Sequence, residues 1–248
     1  MIPFVAIAAI TIVTSNEALT VPAQTTAGLT TITFENKATE PHAIRIVELG
    51  EKHTTDEFAT FLKAGGAPPP WVRTVGGIAM LAPALLEEYS TTLTAGRYVV
   101  VDGDRFAPLT VLAGSKDPAS GRRAGPVDPP LAADIEVRLH DHGFQFSAPV
   151  EGPKPLWHLR NAGSEPHQAV LFRLTDGMTE FAARNWITSG GHGPAPGDPR
   201  GGVIEVPING EAWFRVDLPP GRYVLLCGEL EQEGRHFDLG MVYRFEIQ

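Results

Sequence analysis

The 248-residue chain has one cysteine, Cys227, so no disulfide can close within it and its cores must be held by packing alone. It also lacks a basic excess. Twenty Lys and Arg against 29 Asp and Glu leave a formal charge of −9. That balance excludes a nucleic-acid-binding surface, which needs clustered positive charge, and leaves a basic protein partner open. No apolar run approaches the roughly 20 residues of a membrane span. The apolar start, Met1 to Ile10, has neither a basic leader nor an evident cleavage site, so it is a poor signal peptide. It reads as a lead-in to an edge strand, with an apolar contact to a membrane or partner as the alternative. No Gly-x-Ser-x-Gly elbow and no phosphate-binding glycine loop is present, which argues against a serine hydrolase or a nucleotide enzyme.

Turn formers are abundant: 26 Gly and 22 Pro favour many short strands over long helices. The chain also repeats itself at a shift of 125 positions. Asn36-Lys37-Ala38-Thr39-Glu40-Pro41-His42 returns as Asn161-Ala162-Gly163-Ser164-Glu165-Pro166-His167. Gly76-Gly77-Ile78 returns as Gly201-Gly202-Val203, and Gly96-Arg97-Tyr98-Val99 as Gly221-Arg222-Tyr223-Val224. One constant shift over this span reads as two copies of one domain. The expected division is 1–114, a Pro/Gly/Ser-rich linker at 115–130, and 131–248.

Short alternating runs predict strands at Leu29–Phe34, Ala43–Val47, Trp213–Leu218 and Tyr243–Ile247. One helix interrupts each copy. The first spans Thr55 to Lys63, with Thr54 and Glu57 as a capping box and Gly65-Gly66 as its stop; the second spans about Thr179 to Ile187. The expected fold class is all-β: two tandem sandwiches, each with a short helical insertion.

In the second copy His167, Cys227, His236 and Met241 occur in that order around the Gly-Arg-Tyr strand. Two imidazoles, one thiolate and a weak thioether form a set that suits copper in electron transfer. These segments resemble the cupredoxin (plastocyanin-like, type 1 blue copper) superfamily, whose fold is a Greek-key β-sandwich. The likeness covers most of each half. It implies one copper in the C-terminal domain held by His167, Cys227, His236 and Met241, one-electron transfer, a redox protein or membrane-bound complex as partner, and a periplasmic or other extracytoplasmic location. The family spaces Cys and His by a few residues, whereas eight residues holding three glutamates separate Cys227 from His236. That loop leaves three outcomes open: His236 returned to the site, His236 solvated, or a glutamate competing as ligand.

The first copy carries His42 but has Asp102 in place of the cysteine, so no copper site is expected there, and His42 is expected to bond locally within its strand turn. His140-Asp141-His142 is the one His-x-His pair. On a strand both rings would point the same way. Multicopper oxidases need several such pairs, so an electron carrier or a scaffold is expected rather than a catalyst. His53, His158 and His192 read as isolated surface residues. The alternative function is a metal-free cupredoxin-fold subunit docked on a larger membrane-bound electron-transfer complex.

Overall fold

The computed structural model describes residues 7–114, 131–175, 177–191 and 193–248. The expected linker 115–130, most of the apolar start and His192 lie outside the described residues. The first half contains β1 (Ala8–Thr14), β2 (Leu19–Thr20), β3 (Gln24–Thr26), β4 (Gly28–Asn36), β5 (His42–Leu49), α1 (Thr55–Ala64), β6 (Val72–Leu81), β7 (Leu86–Leu93), β8 (Gly96–Asp102) and β9 (Arg105–Leu112). The second contains β10 (Ile135–His140), β11 (Gly143–Phe146), β12 (Trp157–Asn161), β13 (His167–Leu174), α2 (Glu180–Thr188), β14 (Asp198–Val206), β15 (Glu211–Val216), β16 (Gly221–Leu226), β17 (Leu230–Glu231), β18 (Gly234–Arg235) and β19 (Val242–Ile247).

The all-β class is present: two large sheets share an apolar core, with one short helix in each half. Strand β10 shows the cause locally: Ile135, Val137 and Leu139 are buried while Glu136, Arg138 and His140 are exposed, the period of two that lays one face on a core. Helix α1 starts at the capping box read from sequence, with Thr54 Oγ1 accepting from Glu57 N and the Glu57 carboxylate accepting from Thr54 N. Helix α2 has no side-chain cap. Strand β1 is not an edge strand: it pairs in parallel with β4 and antiparallel with the short β2 outside it.

The sheets do not stop at the boundary between the halves. One runs β11-β10-β12-β15-β7-β4-β1-β2 and the other β19-β16-β13-β14-β6-β5-β8-β9-β3. Strand β15 pairs with β7, and β14 with β6, so each sheet is continuous from one half to the other. A single apolar cluster likewise takes in Ile32, Phe34 and Ile46 with Val137, Trp157 and Phe214. The repeated glycine pairs sit at this seam. Gly77 (φ 153°) and Gly202 (φ 93°) hold backbone conformations that favour glycine, and a Cβ on either would collide with the carbonyl of Ile44 or Ala169. At the seam Glu87 is fully buried, its Oε2 accepting the Gly202 N–H at 2.8 Å. Burial pushes its carboxyl well above the usual range.

Equivalent bonds recur across the 125-position shift. The Asn36 amide donates to Glu40 O (2.9 Å) and Leu81 O (2.8 Å); that of Asn161 donates to Glu165 O (2.8 Å) and Val206 O (2.9 Å). Each buried Asn thus satisfies the turn that delivers its histidine, His42 or His167, to the start of a strand.

Candidate metal centre

His167 opens β13, and Cys227 directly follows β16, its neighbour in the sheet, where Val170 lies opposite Leu226. Both residues therefore reach the same pole. The loop after Cys227 folds on itself as the β17–β18 hairpin, pairing Leu230 with Arg235 and Glu231 with Gly234. His236 N donates to Glu229 O at 3.0 Å and Phe237 N to Cys227 O at 2.9 Å. The hairpin absorbs the extra residues and returns His236 beside Cys227. His236 is only 2% exposed, so the solvated outcome does not hold. Met241 is fully buried, and its backbone is tied to both neighbours: its N–H donates to His236 O (2.8 Å) and its carbonyl accepts from Cys227 N (3.2 Å).

The three donors face one another. Cys227 Sγ lies 3.4 Å from His236 Nδ1 and 3.9 Å from His167 Nδ1, and the two Nδ1 atoms are 3.1 Å apart. Bonds of about 2.0 Å to imidazole nitrogen and about 2.3 Å to thiolate sulfur, at angles of about 100–130°, put N···N at about 3.1–3.6 Å and S···N at about 3.3–3.9 Å. One ion therefore fits the triangle. The chemistry fits as well. Burial, reinforced by His236, pulls the His167 imidazole down to about 4, which keeps it neutral with a lone pair to offer. Burial pushes the Cys227 thiol up to about 12, so the thiolate needs a cation to form. Gln168 N–H, 3.2 Å from Sγ, is placed to stabilise that sulfur.

The outer side of His167 is specified too. Its Nε2 is buried without a hydrogen bond, and Asp141 Oδ1 stands 3.3 Å away. Hydrogen bonds from Ser164 hold the Asp141 carboxyl below its usual range, against the opposing effect of burial. Gly163 leaves the needed space: a Cβ there would overlap both Asp141 Oδ1 and His167 Nε2. A carboxylate behind a ligating imidazole fixes its ring and tautomer.

The first half shows what replaces such a site. His42 Nδ1 bonds Asp102 Oδ1 at 2.7 Å, across to the position of the cysteine and not within its own turn as expected. Arg105 follows Asp102 after a tight turn, as His236 follows Cys227 after a long one. Its Nη2 lies 2.5 Å from Asp102 Oδ2, 2.8 Å from Thr14 Oγ1 and 3.4 Å from His42 Nδ1. A guanidinium, always charged, occupies the place where the second half gathers two imidazoles and a thiol.

Other histidines depart from expectation. His140 and His142 do not form a pair on one strand face: β10 ends at His140, and His142 sits in a turn at φ 66°. His140 Nε2 is 3.1 Å from Gln145 Oε1, while His142 Nε2 is 2.6 Å from Glu231 Oε1. His158 is buried, held between Glu136 and Glu211 and stacked on Trp213. His53 stacks on Trp71. Sequence reasoning passed over Asp141, Gln168 and Arg105 as contributors, and raised Glu231 only as one of three loop glutamates that could compete as ligand. Asp141 had a signal, since it aligns with Asn16, which receives the same turn through Thr39.

No family model matches the chain, and no curated protein matches it. Among solved structures it is similar to a reduced auracyanin of the photosynthetic bacterium Roseiflexus castenholzii, at 21% identity and TM-score 0.31 over 43% of this chain and 98% of that one. It is similar to auracyanin A, a blue copper protein of Chloroflexus aurantiacus, at 16% identity and TM-score 0.29 over 43% and 99%. A blue copper oxidase of Nitrosomonas europaea aligns over 97% of this chain and 84% of its own, at 11% identity and TM-score 0.26.

Proposed function

We propose that the chain is an electron carrier that binds one copper at His167, Cys227 and His236, with the Met241 thioether as weak axial donor. The observation that carries this reading is the triangle of Nδ1, Nδ1 and Sγ, with edges of 3.1, 3.4 and 3.9 Å, in a fully buried setting. Copper held there would supply one-electron exchange between two oxidation states at a nearly constant ligand geometry.

The chain's own residues provide the rest. The His167 imidazole stays neutral, and both rings aim their Nδ1 atoms inward. Cys227 yields its proton as a cation enters, and Gln168 N–H steadies the sulfur. Asp141 and Gly163 set the His167 ring. The backbone bonds among Cys227, His236 and Met241 tie the donors to one another beside the ends of β16, β18 and β19, which limits rearrangement. The first half, where Arg105 holds the equivalent place, serves as structural support. Its descent with the second half from one duplicated unit, a boundary at 115–130, action outside the cytoplasm and delivery of electrons to a redox partner belong to the same reading.

Copper titration of the purified full chain tests it. The expected result is one tightly held equivalent with an intense visible thiolate-to-copper band. A chain that takes up no copper, or shows no such band, would favour the metal-free subunit of a larger complex.

A further inference from the structure

The His236 ring has two faces. Its Nδ1 looks inward at Cys227, but its Nε2 looks outward at a second group of donors. Glu231 Oε1 lies 3.9 Å from that Nε2 and 2.6 Å from His142 Nε2. The His142 and His236 rings meet edge to face, with centroids 5.6 Å apart. One ligand atom from each of His142, Glu231 and His236 lies within 4.8 Å of the other two. We propose that His142 Nε2, Glu231 Oε1 and His236 Nε2 form a second, solvent-facing site for a divalent cation, sharing the His236 ring with the thiolate site.

Two features beyond proximity support it. His142 is held at φ 66°, a conformation that residues other than glycine seldom adopt, and this turn is what swings its ring from the strand face toward His236. The eight residues that lengthen the Cys227–His236 loop form the hairpin that brings Glu231 over the ring. The first half, whose equivalent turn runs directly from Asp102 to Arg105, has no such element. Access differs from the inner site: the side chains of His142 and Glu231 are 37% and 25% exposed, so an ion can exchange with solvent.

The donor chemistry names the ligand class. Two imidazole nitrogens and one carboxylate suit a borderline divalent cation such as zinc, with a position left for water. To bind, His142 moves its proton to Nδ1 and the Glu231 carboxylate turns from that imidazole to the ion. With the inner site empty, the His236 proton sits on Nδ1 and leaves Nε2 free to ligate; only with an ion on each nitrogen would that proton pass to solvent.

The site shares a ring with the proposed copper centre but not its sulfur, so the two readings fail separately. Equilibrium dialysis of the full chain carrying Cys227→Ser, with zinc as probe, should find one bound equivalent. Adding His142→Ala or Glu231→Gln should weaken it at least tenfold, while in the parent chain neither change should abolish the thiolate-to-copper band. No zinc bound by Cys227→Ser, or binding that ignores both outer substitutions, would overturn the second site. Absence of the copper band in the parent chain would overturn only the inner reading.

Discussion

Replacing Arg105 by Met removes the cation from the first half's counterpart of the metal centre. Asp102 is 3% exposed and would keep only His42, at 2.7 Å, and Thr14, at 2.6 Å, as partners. Breaking a buried ion pair by deleting one member costs about 3–5 kcal/mol. Arg105 is 26% exposed, so water reaches part of the vacated space, and the two surviving bonds offset more. A cost of about 2–3 kcal/mol follows. For a chain of this size each kcal/mol moves Tm by about 2–4 °C, which gives a fall of about 4–12 °C. The vacated place is lined by an imidazole nitrogen, a carboxylate and a hydroxyl, a donor set for a divalent cation. Zinc at about 100 times its Kd would return about 2.7 kcal/mol, most of the loss. Thermal melts followed by circular dichroism, with and without zinc, measure both effects. A variant as stable as the parent, or one that zinc stabilises no more than the parent, would refute the view that Arg105 stands in for a metal.

Glu87→Gln should flatten the acid-to-neutral pH dependence of stability. Because burial raises the folded carboxyl, its contribution is complete below the unfolded value of about 4.3 and is lost as pH rises toward the folded value, at most on the order of 1 kcal/mol per pH unit. Urea melts at pH 5 and pH 8 should diverge more for the parent than for the variant, and identical profiles would count against a protonated Glu87. Gly163→Ala should displace the His167 ring or Asp141, weakening copper uptake measurably at a stability cost of about 1–3 kcal/mol. Unchanged copper affinity would show that the space beside His167 Nε2 is not needed.

Much of the fold was legible because the repeated residues do local work. Asn36 and Asn161 bracket the same turn, and Thr54 with Glu57 caps the helix the spacing predicts. The continuity of the two sheets was not legible. The β6–β14 and β7–β15 pairings join residues far apart in sequence, and a strand edge that meets another strand reads like any other edge. At the seam, Glu87 stands where the second copy has Ala212, a difference whose meaning depends on burial. The four proposed copper ligands could be named from their types and order. Whether His236 reached Cys227 could not, because it depends on a two-residue-per-strand hairpin too short for a periodic pattern. His142 misled for a related reason: strand alternation fails at one positive φ, and the ring then turns toward Glu231 rather than pairing with His140.

The most direct test concerns the Cys227 sulfur. Full-length parent and Cys227→Ser chains are loaded with one equivalent of copper and their visible spectra compared, with circular dichroism to verify the fold. An intense thiolate-to-copper band is expected in the parent and lost in Cys227→Ser, with the β-sheet signal unchanged. A parent spectrum without the band, or a band that persists in Cys227→Ser, would contradict that expectation.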